Sequence, residues 1–131
     1  MKIFGIGTDI VNIKRIDKLL KKYGFNFKNK IFSKKEISYC EKKKNPSAFY
    51  AKRFAAKEAF SKALGTGIRK GVNLKNIEIS NNARGKPTIL LKGNLANYLK
   101  RQVKSKKYDI HLSLSDDKPW AQATVIISYN K

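Results

Sequence analysis

The stretch Arg53-Phe54-Ala55-Ala56-Lys57-Glu58-Ala59-Phe60-Ser61-Lys62-Ala63-Leu64-Gly65-Thr66-Gly67 constrains this chain more than any other segment. Read as a helix, it sets Glu58, Ser61, Lys62 and Gly65 at i, i+3, i+4 and i+7, along one stripe. Arg53 joins them where a single polar site can be served. Phe49, Ala56, Phe60 and Ala63 form an offset stripe able to bury against a core. A carboxylate one turn from a lysine, on a helix ending in Gly-Thr-Gly, suits a metal-bridged, phosphate-bearing ligand. On spacing alone an ordinary amphipathic helix accounts for the same residues, with Glu58 and Lys62 as a surface pair and a glycine C-cap.

A second segment, Gly5-Ile6-Gly7-Thr8-Asp9-Ile10-Val11-Asn12-Ile13-Lys14-Arg15-Ile16, opens the chain. Ile3 to Ile10 predicts a strand with Asp9 near its end. Asn12 to Tyr23 predicts a helix that buries Ile13, Ile16, Leu19 and Leu20 and stops at Gly24. Alone, an aspartate at a strand end reads as a cap or turn residue. Ser33 and Glu36 form a capping box that opens another helix, through about Lys43. Asn45-Pro46-Ser47 breaks it, and Ser47 starts the long helix.

Beyond Gly71 the pattern changes to strands. Ile77 to Ser80 alternates, Asn81 to Pro87 is a turn, and Thr88 to Leu91 is the partner strand. Asn94 to Val103 is helical. Asp109 to Ser115 turns Ile110, Leu112 and Leu114 inward, Asp116-Asp117-Lys118-Pro119 forms a turn, and Ala121 to Tyr129 is the last strand. The fold class is α+β: helices in the first half, packed on a mainly antiparallel sheet that recruits the N-terminal strand. Residues 1–131 read as a single domain.

Composition sets limits. No long apolar run suggests a membrane span, and the opening MKIFGIGTDI lacks a signal-peptide pattern. The one cysteine, Cys40, fits a cytoplasmic setting and reads as a small apolar residue. The net charge of +21 attracts polyanions, whether nucleic acid, acidic proteins or phosphorylated cofactors. A small basic nucleic-acid-binding module is therefore the alternative. No zinc pattern, RNA-recognition strand motif or helix-turn-helix signature favours it. Nor does it give carboxylates at Asp9 and Glu58 a purpose.

Three blocks in order, Gly5 to Ile16, Arg53 to Gly67, and Gly85-Lys86-Pro87 through Leu112-Ser113-Leu114-Ser115, resemble the holo-acyl-carrier-protein synthase family of 4'-phosphopantetheinyl transferases. The resemblance implies transfer of the phosphopantetheine arm of coenzyme A to a serine of apo-acyl carrier protein. Adenosine 3',5'-bisphosphate is released, and the product serves fatty-acid synthesis. It implies Mg²⁺ at Asp9 and Glu58, with Lys62 on the pyrophosphate as the third catalytic residue. Arg53 would hold a coenzyme A phosphate, and Ser61 and Gly65 would line the same groove, Gly65 permitting close backbone approach. Lys86 and Pro87 would reach in from a neighbouring subunit of a homotrimer, with active sites between subunits. Arg15 would dock the acidic carrier protein. The acceptor of the serine proton stays open between Asp9 and a water at the metal. No membrane and no specific nucleic acid enter this scheme.

The chain departs from the family in one respect. Many members carry a histidine where this chain has Asp116, which reads here as a turn residue. The one histidine, His111, is expected on the sheet face turned away from Leu112 and Leu114.

Overall fold

The computed structural model describes residues 1–66 and 72–131, so Gly67 and Gly71 lie outside the described residues. Strand β1 (Lys2–Asn12) leads into helix α1 (Ile13–Tyr23), capped by the Asn12 side chain, which accepts from the Lys14 N–H at 2.9 Å. Ile13 and Ile16 are buried as their spacing predicts, while Leu19 and Leu20 are half-buried. Gly24, at φ +54°, ends α1. A helix the periodicity did not announce, α2 (Phe25–Ile31), begins at once from the same glycine. Phe27 and Ile31, one turn apart, pack half-buried against the core, but seven residues are too few for a helical period to stand out.

The capping box forms, with Ser33 Oγ accepting from the Glu36 N–H and Glu36 accepting from the Ser33 N–H. Helix α3 (Lys34–Glu41) ends two residues before the expected Lys43. Helix α4 (Pro46–Leu64) starts one residue earlier than expected, because a first-turn proline sacrifices no helical hydrogen bond. A 3-10 turn at Leu74–Asn76 precedes strand β2 (Ile77–Asn81), which pairs with β3 (Pro87–Leu91). Helix α5 (Leu95–Val103) buries Leu95, Leu99 and Val103.

Strand β4 (Lys107–Asp117) and strand β5 (Trp120–Asn130) complete a three-stranded antiparallel sheet in the order β1-β5-β4. The hairpin of β2 and β3 is a separate sheet, so the expected single sheet is two. The expected four-residue turn also shrinks, since Asp116 and Asp117 pair with Ala121 and Trp120 as strand residues. Leu112 is buried, and His111 is exposed on the opposite face with Nε2 3.0 Å from Ser128 Oγ. Among the described residues no helix is long and apolar enough to cross a membrane.

Helix α4 is buried on most of its circumference, and its small residues make that possible. Gly5 and Gly7 of β1 lie directly on it; a Cβ at Gly7 would sit 1.9 Å from the Ala59 carbonyl oxygen. The same atom at Gly5 would sit 1.9 Å from the Ala63 carbonyl oxygen. Strand periodicity then brings Asp9, two residues beyond Gly7, to the same helix.

On the other flank of α4 lies a wholly buried ion pair. Lys57 Nζ donates to Glu36 Oε1 at 2.8 Å, to the Leu74 carbonyl at 2.9 Å and to the Ile77 carbonyl. Glu36 Oε2 accepts from the Ile79 N–H at 3.1 Å. The two side chains leave no charge without a partner, which is the condition under which a buried pair persists.

Gly7→Ala is expected to lower stability by about 3 kcal/mol, the upper range for overpacking a rigid contact, read from the urea unfolding midpoint. Lys57→Met is expected to cost about 3–5 kcal/mol in the same measurement, because it strands the Glu36 carboxylate in the core.

Candidate active site

The β1–α4 contact gathers the first group of predicted residues. Lys62 Nζ, half-exposed, donates to Asp9 Oδ1 at 3.1 Å and to the Thr8 carbonyl at 3.0 Å. Glu58 stands one turn before Lys62 on the same helical stripe. Burial, and then the neighbouring Asp9 carboxylate, hold Glu58 above the ordinary carboxylate value, while Lys62 and Arg15 pull it back. Arg15, exposed on the first turn of α1, therefore belongs to this electrostatic neighbourhood.

Arg53 does not. Five residues separate it from Glu58, which places the two roughly 140° apart around α4. Its guanidinium is buried against the hairpin, with Nη2 donating to Asn81 Oδ1 at 2.8 Å and the head group 4.1 Å from the centre of the Tyr39 ring. Asn81 in turn donates to the Gly85 carbonyl at 2.9 Å and pairs in register with Pro87. Arg53, Lys86 and Pro87 thus form a second group on another flank of the helix. The single polar site expected from the helix is two sites within one chain.

Two further residues occupy places other than those expected. Ser61 is 1% exposed, and its hydroxyl donates to the Lys57 carbonyl at 3.0 Å, so it offers no free donor to a groove. Gly65 caps α4 at φ +88°, and a Cβ there would meet nothing within 4 Å. The left-handed backbone, rather than a crowded approach within this chain, accounts for glycine. Asp116 is an ion-pair partner, 3.3 Å from Lys52 Nζ. Burial pushes the Cys40 thiol up to about 12, which removes it as a nucleophile.

The donor set fits a hard divalent cation. Two carboxylates lie near one another at the α4 surface, and their repulsion shows in Glu58. Among the described residues no cluster of three or more His, Cys, Asp or Glu side chains exists, and Asp9 and Glu58 would offer two carboxylate ligand groups. That is the share Mg²⁺ takes when it keeps waters and bridges to substrate phosphates.

The sequence alone assigns Lys57, Glu36 and Asn81 no role at these sites. Glu36 was legible only as a capping residue. The available signal for Lys57 was a charged side chain three positions from Phe60, among apolar neighbours on the buried flank.

The chain matches the family model of the 4'-phosphopantetheinyl transferase superfamily over residues 5–124. It belongs to that superfamily. The holo-[acyl-carrier-protein] synthase of Wolbachia pipientis subsp. Culex pipiens is 49% identical over 128 residues, covering 95% of this chain and 97% of the relative. The crystal structure of holo-[acyl-carrier-protein] synthase from Neisseria meningitidis superposes with a TM-score of 0.88 at 42% identity, over 96% of this chain and 98% of that one. The Helicobacter pylori synthase in complex with coenzyme A gives a TM-score of 0.82 at 36% identity, over 94% and 99%. The α+β class is that of these transferases, and the nucleic-acid module finds no support in either comparison.

The pair also makes a thermal prediction. Glu58 has a raised folded-state value, so its contribution favours folding while protonated and is lost as pH rises through that value. At neutral pH, without divalent cations, Glu58→Gln is expected to melt at or slightly above the parent temperature. Millimolar Mg²⁺ is expected to raise the Tm of the parent and leave that of Glu58→Gln unmoved; equal shifts in both would remove Glu58 from the cation site.

Proposed function

We propose that this chain, as a single transferase domain, transfers the 4'-phosphopantetheine group of coenzyme A to a serine of apo-acyl carrier protein. The convergence of Asp9, Glu58 and Lys62 at the β1–α4 contact carries this reading, because these residues come from the two strongest motif blocks. The serine hydroxyl oxygen forms a bond to the β-phosphorus of the coenzyme A pyrophosphate. The bond from that phosphorus to the bridging oxygen breaks, the serine proton passes to the Asp9 carboxylate or to a water, and adenosine 3',5'-bisphosphate departs.

Asp9 and Glu58 would hold Mg²⁺, which when bound neutralises pyrophosphate charge. Lys62 is exposed enough to leave Asp9 and donate to the departing phosphate oxygen, where charge accumulates. Arg53 is assigned a coenzyme A phosphate away from the reacting bond, with Lys86 and Pro87 on the hairpin beside it. Arg15, with Lys14 and Lys18 also exposed on α1, presents cations to an acidic carrier protein.

A homotrimer with active sites between subunits would let the two groups of residues meet across a subunit boundary. The outer face of β1 supports it: Ile6 and Ile10 are 64% and 61% exposed on the side away from α4. A cytoplasmic setting and a place in fatty-acid synthesis belong to the same reading.

Intact-mass spectrometry of an apo-acyl carrier protein, incubated with the chain, coenzyme A and Mg²⁺, is the direct test. A gain of one phosphopantetheine is expected, lost with EDTA or when the carrier serine is replaced by alanine. Asp9→Ala and Glu58→Ala are expected to abolish it with the fold intact. Lys62→Ala is expected to slow turnover by about 100-fold or more, the scale of removing one transition-state donor, while carrier binding is kept. No gain from the folded parent with several carriers would overturn the proposal.

A further inference from the structure

Lys57 is the immediate neighbour of Glu58, yet it has nothing to offer a substrate. An ammonium carries three donors, and all three are committed to Glu36, Leu74 and Ile77. Glu36 is equally spent, on Lys57, Ser33 and Ile79. What the pair grips is strand β2: Lys57 takes the carbonyl of Ile77 and Glu36 the N–H of Ile79. Two residues further along the same strand stands Asn81, which receives Arg53 and ties the hairpin turn at Gly85.

Arg53 is the end of this relay. It is 3% exposed, and its Nε has no hydrogen-bond partner among the described residues. With Lys35, Tyr39, Glu78, Ile79, Ser80 and Asn81 it lines a cavity of about 170 Å³, in which the buried Glu78 carboxylate is paired with Lys92 Nζ at 3.7 Å. Asn81 is thus the polar contact that fixes where the guanidinium points, and the buried pair fixes where Asn81 stands.

We infer that the Lys57–Glu36 pair is a positioning device for the phosphorylated nucleotide end of coenzyme A. It acts through β2 and Asn81 on Arg53 and leaves the reacting centre at Asp9, Glu58 and Lys62 alone. The inference rests on the proposed transferase reading. Coenzyme A carries a ribose 3'-phosphate remote from its pyrophosphate. Arg53, on the flank of α4 turned from Glu58 and Lys62, is assigned to that remote charge.

The test measures kcat and KM for coenzyme A and for dephospho-coenzyme A, which lacks the 3'-phosphate. Three variants are compared with the parent. Glu36→Gln keeps an oxygen for Lys57 but opposes an amide NH₂ to the Ile79 N–H. Lys57→Met/Glu36→Leu replaces the pair by apolar groups, a change buried pairs often tolerate. Asn81→Ala cuts the relay at its far end.

KM for coenzyme A is expected to rise about ten-fold in each folded variant, the scale of a lost hydrogen bond to a charged group, with kcat within about two-fold. KM for dephospho-coenzyme A is expected to stay within about two-fold of the parent, so discrimination between the two substrates collapses. An unchanged KM for coenzyme A in folded Glu36→Gln would overturn the inference, whether or not the double variant folds. So would a fall in kcat shared by both substrates. A parent with no transfer from either substrate would instead sink the transferase reading itself.

Discussion

The backbone contact between β1 and α4 is the constraint on which the rest depends. Gly5 and Gly7 let the strand backbone approach the carbonyl oxygens of Ala63 and Ala59 to a distance no side chain permits. Asp9 reaches the helix because Gly7 is already there. Glu58 and Lys62 face it because the small residues occupy the turns between them. The first group of candidate residues is thus a by-product of a packing requirement, and its geometry is as rigid as the seam that makes it.

The second flank of α4 is built by opposite means. There the helix presents Lys57 and Arg53, and polar groups of α3, the 3-10 turn and β2 close around them. Charge burial of this kind contributes little net stability but fixes one arrangement, since every alternative leaves a partner stranded. One helix therefore carries two kinds of precision: steric toward β1, electrostatic toward the hairpin.

These differences explain what the sequence disclosed. The strand at the N-terminus, the capping box at Ser33 and Glu36 and the long helix were legible because each has a local signature. Asp9, Glu58 and Lys62 are grouped in the sequence by motif resemblance, whereas spacing alone leaves Glu58 and Lys62 a surface pair and Asp9 a cap or turn residue. Helix α2 is not legible because its seven residues, with only Phe27 and Ile31 turned to the core, are too short to display a period. The division into two sheets was missed because pairing between β2 and β3 is visible locally, whereas their separation from β5 is a tertiary outcome. Grouping Arg53 with Glu58 followed from proximity along the chain. The 100° step per residue sends the two to different flanks.

Strand β1 has glycines and an aspartate on one face and Ile6, Thr8 and Ile10 on the other. A slip of one residue in its pairing with β5 would exchange the faces, driving isoleucine side chains into the helix backbone and turning Asp9 outward. The alternation that builds the site also forbids the neighbouring register. The strand is proofread by its own side chains.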